Sequence, residues 1–197
     1  MKKLLYTSIF VSILLCAAIH VYALSPAIQA VVSAGGAASC TTEVSGDSDT
    51  NGTGQTYVFG IATRTILGGT WTASDTYTSC KVTLRLKKVL SPTGNIKAVI
   101  YSTSAGVPDA QIAISSNSVA TSAITTDWAE YDFTISANIS NGTVYFIGAQ
   151  TDAGSNATDN QVIAAFNESG TWAQYRYSDA GWTQTDSSAR VYARIYK

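Results

Sequence analysis

Charge is scarce in this sequence. Only 13% of its 197 residues are Asp, Glu, Lys or Arg, about half the share of an ordinary soluble protein. A folded surface must therefore be covered by serine, threonine, asparagine and glycine. Twelve basic side chains against thirteen acidic ones leave no broad positive patch, which argues against a nucleic-acid partner. Histidine is rarer still: His20 is the only one, and it sits in an N-terminal segment that reads as removable. Without it, serine or cysteine hydrolysis lacks its usual base, and transition-metal sites lose their best ligand. There is no G-x-S-x-G elbow and no repeat of fixed period, and no helical spacing of three or four survives over a useful length.

What is present begins with Lys2 and Lys3, followed by a mostly apolar run from Leu4 to Ile19 and by Val21-Tyr22-Ala23. A basic start, a short apolar core and small residues at the cleavage positions read as a secretory signal peptide over residues 1–23. Leu15 before Cys16 does not suit lipoprotein processing; retention as an uncleaved anchor is the alternative. The expected location is secreted or at the cell surface, with no membrane contact after cleavage. Removal takes His20 and Cys16 with it and changes the formal charge from −1 to −3. Cys40 and Cys80 then have only each other, and an oxidising compartment predicts a Cys40–Cys80 disulfide, the alternative being two buried thiols. Such a bridge contributes roughly 3–4 kcal/mol through loop entropy.

Residues 24–38 form a small-residue leader, and residues 39–197 suit one domain. The clearest element is SCKVTLRLKKV, where Cys80, Val82, Leu84 and Leu86 alternate with Lys81, Thr83, Arg85 and Lys87. A period of two makes this a half-buried strand with a basic outer face, read as a solvated face rather than a polyanion site. SPTGN reads as a turn into IKAVIYS, so residues 79–101 are expected to form an antiparallel hairpin. STSAGVPDAQ is expected to be a loop. WAEYDFTI alternates again, VYFIGAQ is apolar enough to be a central strand, and ARVYARIYK closes the chain with one more alternation. Many short strands separated by polar turns indicate an all-β antiparallel sandwich.

Several stretches in order carry a resemblance. QTYVF, LRLKK, SPTGNIKAVIYSTSAGVPDA, WAEYDF, NGTVYFIGAQ and YRYSDAGWTQ resemble a jelly-roll β-sandwich module of secreted bacterial surface and phage-associated proteins, the choice-of-anchor type among them. In outline the chain is also similar to carbohydrate-binding modules. The resemblance spans roughly residues 55–197 and implies a jelly-roll fold; it brings no catalytic residues with it.

Three groups of residues invite chemistry. Glu130 and Asp132 lie two apart on one strand, about 7 Å apart on the same face, but that face reads as the wet one. DSDTNG offers Asp47, Asp49 and Asn51 as the opening of a calcium loop. Gly54 and Val58 stand where the apolar anchor and the bidentate glutamate belong, so a polar turn is the first reading. Calcium, its shell completed by Asp152 or Asp159, is the alternative. TWAQYRYSDAGW places Trp172, Tyr175, Tyr177 and Trp182 within eleven residues, and Trp71 sits in another polar stretch. Flat rings beside polar groups suit the C–H faces and hydroxyls of sugars; the competing reading is that they fill the core. In a hairpin across DAG, Tyr175 and Tyr177 share a face, and Trp172 falls on the other if the strand is unbroken.

These observations favour a secreted, non-enzymatic binding or adhesion module with glycan as ligand. A structural subunit that self-associates through a sheet edge is the rival.

Overall fold

The computed structural model describes residues 40–45, 48, 55–59, 65–152, 161–167, 173–178, 180–186 and 190–197. Thirteen strands are found there. They are β1 (Gln55–Phe59), β2 (Ile66–Thr72), β3 (Tyr77–Val89), β4 (Asn95–Ser104), β5 (Val107–Ile114), β6 (Val119–Ala120) and β7 (Ala129–Ile139). After these come β8 (Val144–Thr151), β9 (Gln161–Asn167), β10 (Gln174–Ser178), β11 (Gly181–Asp186), β12 (Arg190–Val191) and β13 (Ala193–Tyr196). The signal-peptide and leader assignments, residues 1–38, lie outside the described residues.

All pairings between these strands are antiparallel. One sheet runs β1-β9-β3-β7, and where β9 and β3 diverge, β12 pairs with β9 and β13 continues along β3. The other runs β11-β10-β2-β8-β4-β5, with β6 against the start of β4. The quartets β1-β9-β3-β7 and β2-β8-β4-β5 are the two facing four-stranded sheets of a jelly roll. The β10–β11 hairpin extends the second sheet beyond β2.

The alternation read from the sequence is what builds the inter-sheet core. Val82, Leu84 and Leu86 of β3 and Phe133, Ile135, Ala137 and Ile139 of β7 face inward. They meet Leu67 and Trp71 of β2, Ile96, Ala98 and Ile100 of β4, and Tyr145, Ile147 and Ala149 of β8. Each large side chain so buried contributes about 1.5–3 kcal/mol. On β7 the partners of this stripe, Asp132, Thr134, Ser136 and Asn138, are exposed. A disulfide joins Cys40 to Cys80 with a Cα–Cα distance of 5.8 Å, tying the start of the domain to β3.

Two local expectations are corrected. Residues 79–101 are not a hairpin: β3 pairs with β7, β9 and β13, whereas β4 pairs with β5, β6 and β8, so SPTGN carries the chain from one sheet to the other. Leu90 at φ 59° and Gly94 at φ 95° turn this corner, and Thr121 pins it, its hydroxyl donating to the Pro92 carbonyl at 2.7 Å. The hairpin lies one element later. STSAGVPDAQ is not a loop; Ala105 (φ 51°) and Gly106 (φ 82°) make a two-residue turn between β4 and β5. Two positive φ angles suit the right-handed twist of a tight hairpin. Pro108, which lacks an N–H, is tolerated because β5 is at a sheet edge.

Candidate ligand-binding surface

The second sheet is unusual in burying residues on both faces. β8, the strand VYFIGAQT, sends Tyr145, Ile147 and Ala149 into the sandwich and Phe146 outward, yet Phe146 is also fully buried. The cause is the curl of the sheet. β11 at one edge comes within 8 Å of β5 near the other, closing the outer face into a trough. Gly68 of β2 and Gly148 of β8 stand opposite one another in register and let β2 and β8 come close together. A Cβ on Gly68 would sit 2.1 Å from the Ile147 carbonyl oxygen and 2.6 Å from Cζ of Phe146, so the space a side chain would fill is occupied by neighbouring backbone and by that ring.

Over this floor lies an aromatic cluster from four strands. Trp182 of β11 packs edge-on against Phe146 (centroids 4.9 Å, 64°), Tyr101 of β4 (5.2 Å, 80°) and Tyr177 of β10 (5.2 Å, 66°). Tyr101 meets Phe146 at 5.8 Å and 81°. Ile66, Val99 and Tyr175 complete the apolar base. Edge-to-face pairing fixes each ring and leaves neighbouring faces nearly perpendicular. Tyr177 keeps 39% of its surface exposed, and Trp182 and Tyr101 are half-buried.

Polar groups border the rings. The Tyr101 hydroxyl donates to Oε1 of Gln111 at 3.2 Å, and the Tyr175 hydroxyl donates to Oε1 of Gln184 at 3.3 Å. Burial pushes both phenols above their ordinary range, with the nearby Tyr177 adding to the effect at Tyr101, so both remain protonated donors at neutral pH.

The aromatic residues anticipated from the sequence separate into three fates. Tyr177 and Trp182 face each other across the predicted hairpin and belong to the cluster. Tyr175 lies on the same face but is buried, serving as base rather than as an open platform. Trp71 leaves the candidate set: only 1% of it is exposed, and its ring packs 5.4 Å from Tyr145 in the inter-sheet core. Strand alternation points it inward despite its polar neighbours. Trp172 lies outside the described residues, as do Asp47, Asp49 and Asn51 of the calcium reading. Asp152, offered as a distant calcium ligand, instead accepts from the side-chain amide and the backbone N–H of Asn95 at 2.9 and 2.6 Å. These bonds hold its carboxyl below the usual value. Among the described residues, no group of three or more His, Cys, Asp or Glu could hold a metal ion. Tyr101 and Phe146 were missed by sequence reasoning; they lie far from the late hairpin in the chain, and only the trough brings them together.

No family model matches this chain, and no curated protein matches it.

The opposite face carries the Glu130–Asp132 pair and the basic residues of β3. Lys81 donates to Asp132 at 3.2 Å and Arg194 pairs with Glu130 at 3.4 Å, while the hydroxyls of Thr83 and Tyr192 donate to Asp132 and Glu130 respectively. Lys81 lies 3.9 Å from the centre of the Tyr196 ring and Lys87 lies 4.7 Å from that of Trp128. Burial opposes the ionised form of Asp132, but the Thr83 and Lys81 hydrogen bonds and the charges of Lys81 and Arg194 outweigh it and hold the carboxyl below its ordinary value. A general acid requires the reverse shift. Among the described residues, no helix is long and apolar enough to cross a membrane.

Proposed function

We propose that this protein is a non-enzymatic glycan-binding module that works outside the cell, with the trough of the second sheet as its binding surface. One observation carries the reading: Trp182, Tyr177 and Tyr101 are locked edge-to-face around a buried Phe146, presenting rigid, partly exposed rings beside glutamine amides and phenol hydroxyls. Rigid rings lose little side-chain freedom on binding, and sugar C–H faces stack on them while the polar rim receives hydroxyls. The N-terminal sequence and the Cys40–Cys80 bridge support export. The basic strand face, with its cations held by carboxylates and rings, supports a solvated surface. Binding outside the cell agrees with the surface modules that the sequence resembles.

The test is a glycan array followed by titration calorimetry on the best ligand. Trp182→Ala and Tyr177→Ala are expected to weaken binding at least tenfold. No signal on the array, or binding unchanged in both variants, overturns the reading.

A second reading, self-assembly into an extracellular layer or appendage, is favoured by β5. This edge strand exposes Val107, Ile112 and Ile114 at about 40% each and carries only Asp109 as a charge. Edges of that kind invite pairing with another chain. Light scattering discriminates, because this reading requires concentration-dependent growth in mass that Ile112→Lys abolishes.

A further inference from the structure

The polar rim of the trough presents an amide donor at its β5 lip, and this bears on which glycan it takes. Each of the two phenols donates into a glutamine oxygen, Tyr101 into Gln111 and Tyr175 into Gln184. The acceptor end of each amide is thus engaged, which turns the Nε2 hydrogens of Gln111, exposed at the β5 lip, away from Tyr101. Among the described residues, carboxylates, the strongest acceptors for sugar hydroxyls, are missing from the same place. The outward register rows that contain Trp182, Tyr175 and Phe146 include no Asp or Glu among the described residues. Among the described residues, the only charge on those rows is Lys97. Beside the rings the trough offers aliphatic surface: Val99 is buried under it, and its register partner Ile114 is 40% exposed.

An unmodified sugar is a polyol that donates as readily as it accepts. The Gln111 amide donor beside rings and isoleucine suits a ligand with a strong acceptor and a small apolar group side by side. We infer that the trough selects an N-acetylated sugar, its acetamido carbonyl accepting from the Gln111 amide and its methyl group resting between Trp182 and Ile114. The inference rests on the glycan-binding reading of this surface and goes further by naming the sugar class. A carboxylate-bearing sugar would satisfy the donors equally, but it would set a charge against Ile114 and the rings and carry no methyl group to fill that space. The raised phenols stay protonated across neutral pH and so keep the two glutamine oxygens engaged.

The experiment uses the full chain and four trisaccharide probes in titration calorimetry: tri-N-acetylchitotriose, its deacetylated form, cellotriose and trigalacturonic acid. The acetylated trimer is expected to bind at least tenfold more tightly than each of the others. Gln111→Glu, which replaces the donor by an acceptor at an exposed position, is expected to cost the acetylated trimer at least tenfold and cellotriose less than twofold. Gln111→Ala should fall between wild type and Gln111→Glu, and an unchanged unfolding midpoint for both variants excludes a folding effect. Cellotriose or trigalacturonic acid binding as well as the acetylated trimer overturns the sugar-class inference while leaving the glycan reading in place. Absence of binding by all four probes, and by a broad array, overturns both.

Discussion

Gly68→Ala should be among the most damaging single-methyl additions to this protein. Adding one methyl group to a glycine whose backbone angles suit any residue ordinarily stabilises a fold by about 0.4–1 kcal/mol, by restricting the unfolded chain. Here the new carbon would lie 2.1 Å from the Ile147 carbonyl oxygen, 2.6 Å from Cα of Gly148 and 2.6 Å from Cζ of Phe146. The first two are backbone atoms of the paired strand and cannot rotate away. Contacts under 3.0 Å are essentially never seen for a real Cβ, so β2 and β8 must part by most of an ångström at the centre of the second sheet. That separation strains the ladder around the Gly68–Gly148 pair and lifts the Phe146 ring from its floor. Overpacking costs about 1–3 kcal/mol where side chains can adjust, and obstruction by backbone puts this case at the upper end, about 3 kcal/mol or more. At a urea slope of about 2 kcal/mol per molar, the unfolding midpoint should fall by about 1.5 M. Gly142→Ala is the control: it stands in open space at φ +74°, so only backbone strain applies and the loss should be about 1 kcal/mol. A midpoint for Gly68→Ala equal to or above that of Gly142→Ala would refute the close-approach argument.

Further consequences can be checked with the same assay. Reducing the Cys40–Cys80 bridge, or replacing both cysteines by serine, frees a loop with a sequence separation of 40 and should cost about 4 kcal/mol on the chain-entropy estimate; an unchanged urea midpoint would rule that out. Asp132 has a carboxyl held below its ordinary 3.8, so its contribution is complete above that pH and disappears as the pH falls through the lower, folded value. Asp132→Asn should therefore lower stability at neutral pH and flatten the acid limb of the midpoint-versus-pH curve; parallel curves for variant and wild type would contradict the clamp. On the glycan-binding proposal, affinity at the trough should be level through neutral pH, because Tyr101 and Tyr175 stay protonated there and keep the glutamine oxygens engaged; a change in affinity near pH 7 would count against that arrangement.

Much of the architecture was legible in the chain because one signal, the period of two, maps directly onto burial. Leu84 and Leu86 against Arg85 and Lys87, and Phe133 and Ile135 against Asp132 and Thr134, divide between core and outer face as the alternation requires. The cysteines were legible for a different reason, since elimination left one pairing. Connectivity was harder. SPTGN has the chemistry of a tight turn, and that chemistry serves a corner between sheets as well as a hairpin; nothing local separates the two. Pro108 and Gly106 made a loop of what is an edge hairpin, because proline is excluded only where both sides of a strand are paired. Trp71 misled through its polar neighbours, whereas its own position in β2 decides its direction. The trough was the least legible feature: Tyr101, Phe146 and Trp182 come from separate parts of the chain, Phe146 lies where a side chain on Gly68 would be, and a glycine in a strand sequence does not announce what its absent side chain makes room for.

The bridge at Cys40 also governs how this protein would behave under tension. A pull on the chain upstream of Cys40 passes through the sulfur link straight into β3 at Cys80, so β1 and β2 never bear the load. With the link intact, the stretch between the two cysteines stays locked, withholding about 140 Å of contour from any extension at about 3.5 Å per residue. The load enters β3, gripped along its length by β7 on one side and by β13 and β9 on the other. Because Tyr196 pairs with Lys81, a pull at Cys80 and a pull at the C-terminus act on the same end of the β3–β13 ladder, whose hydrogen bonds then open in turn.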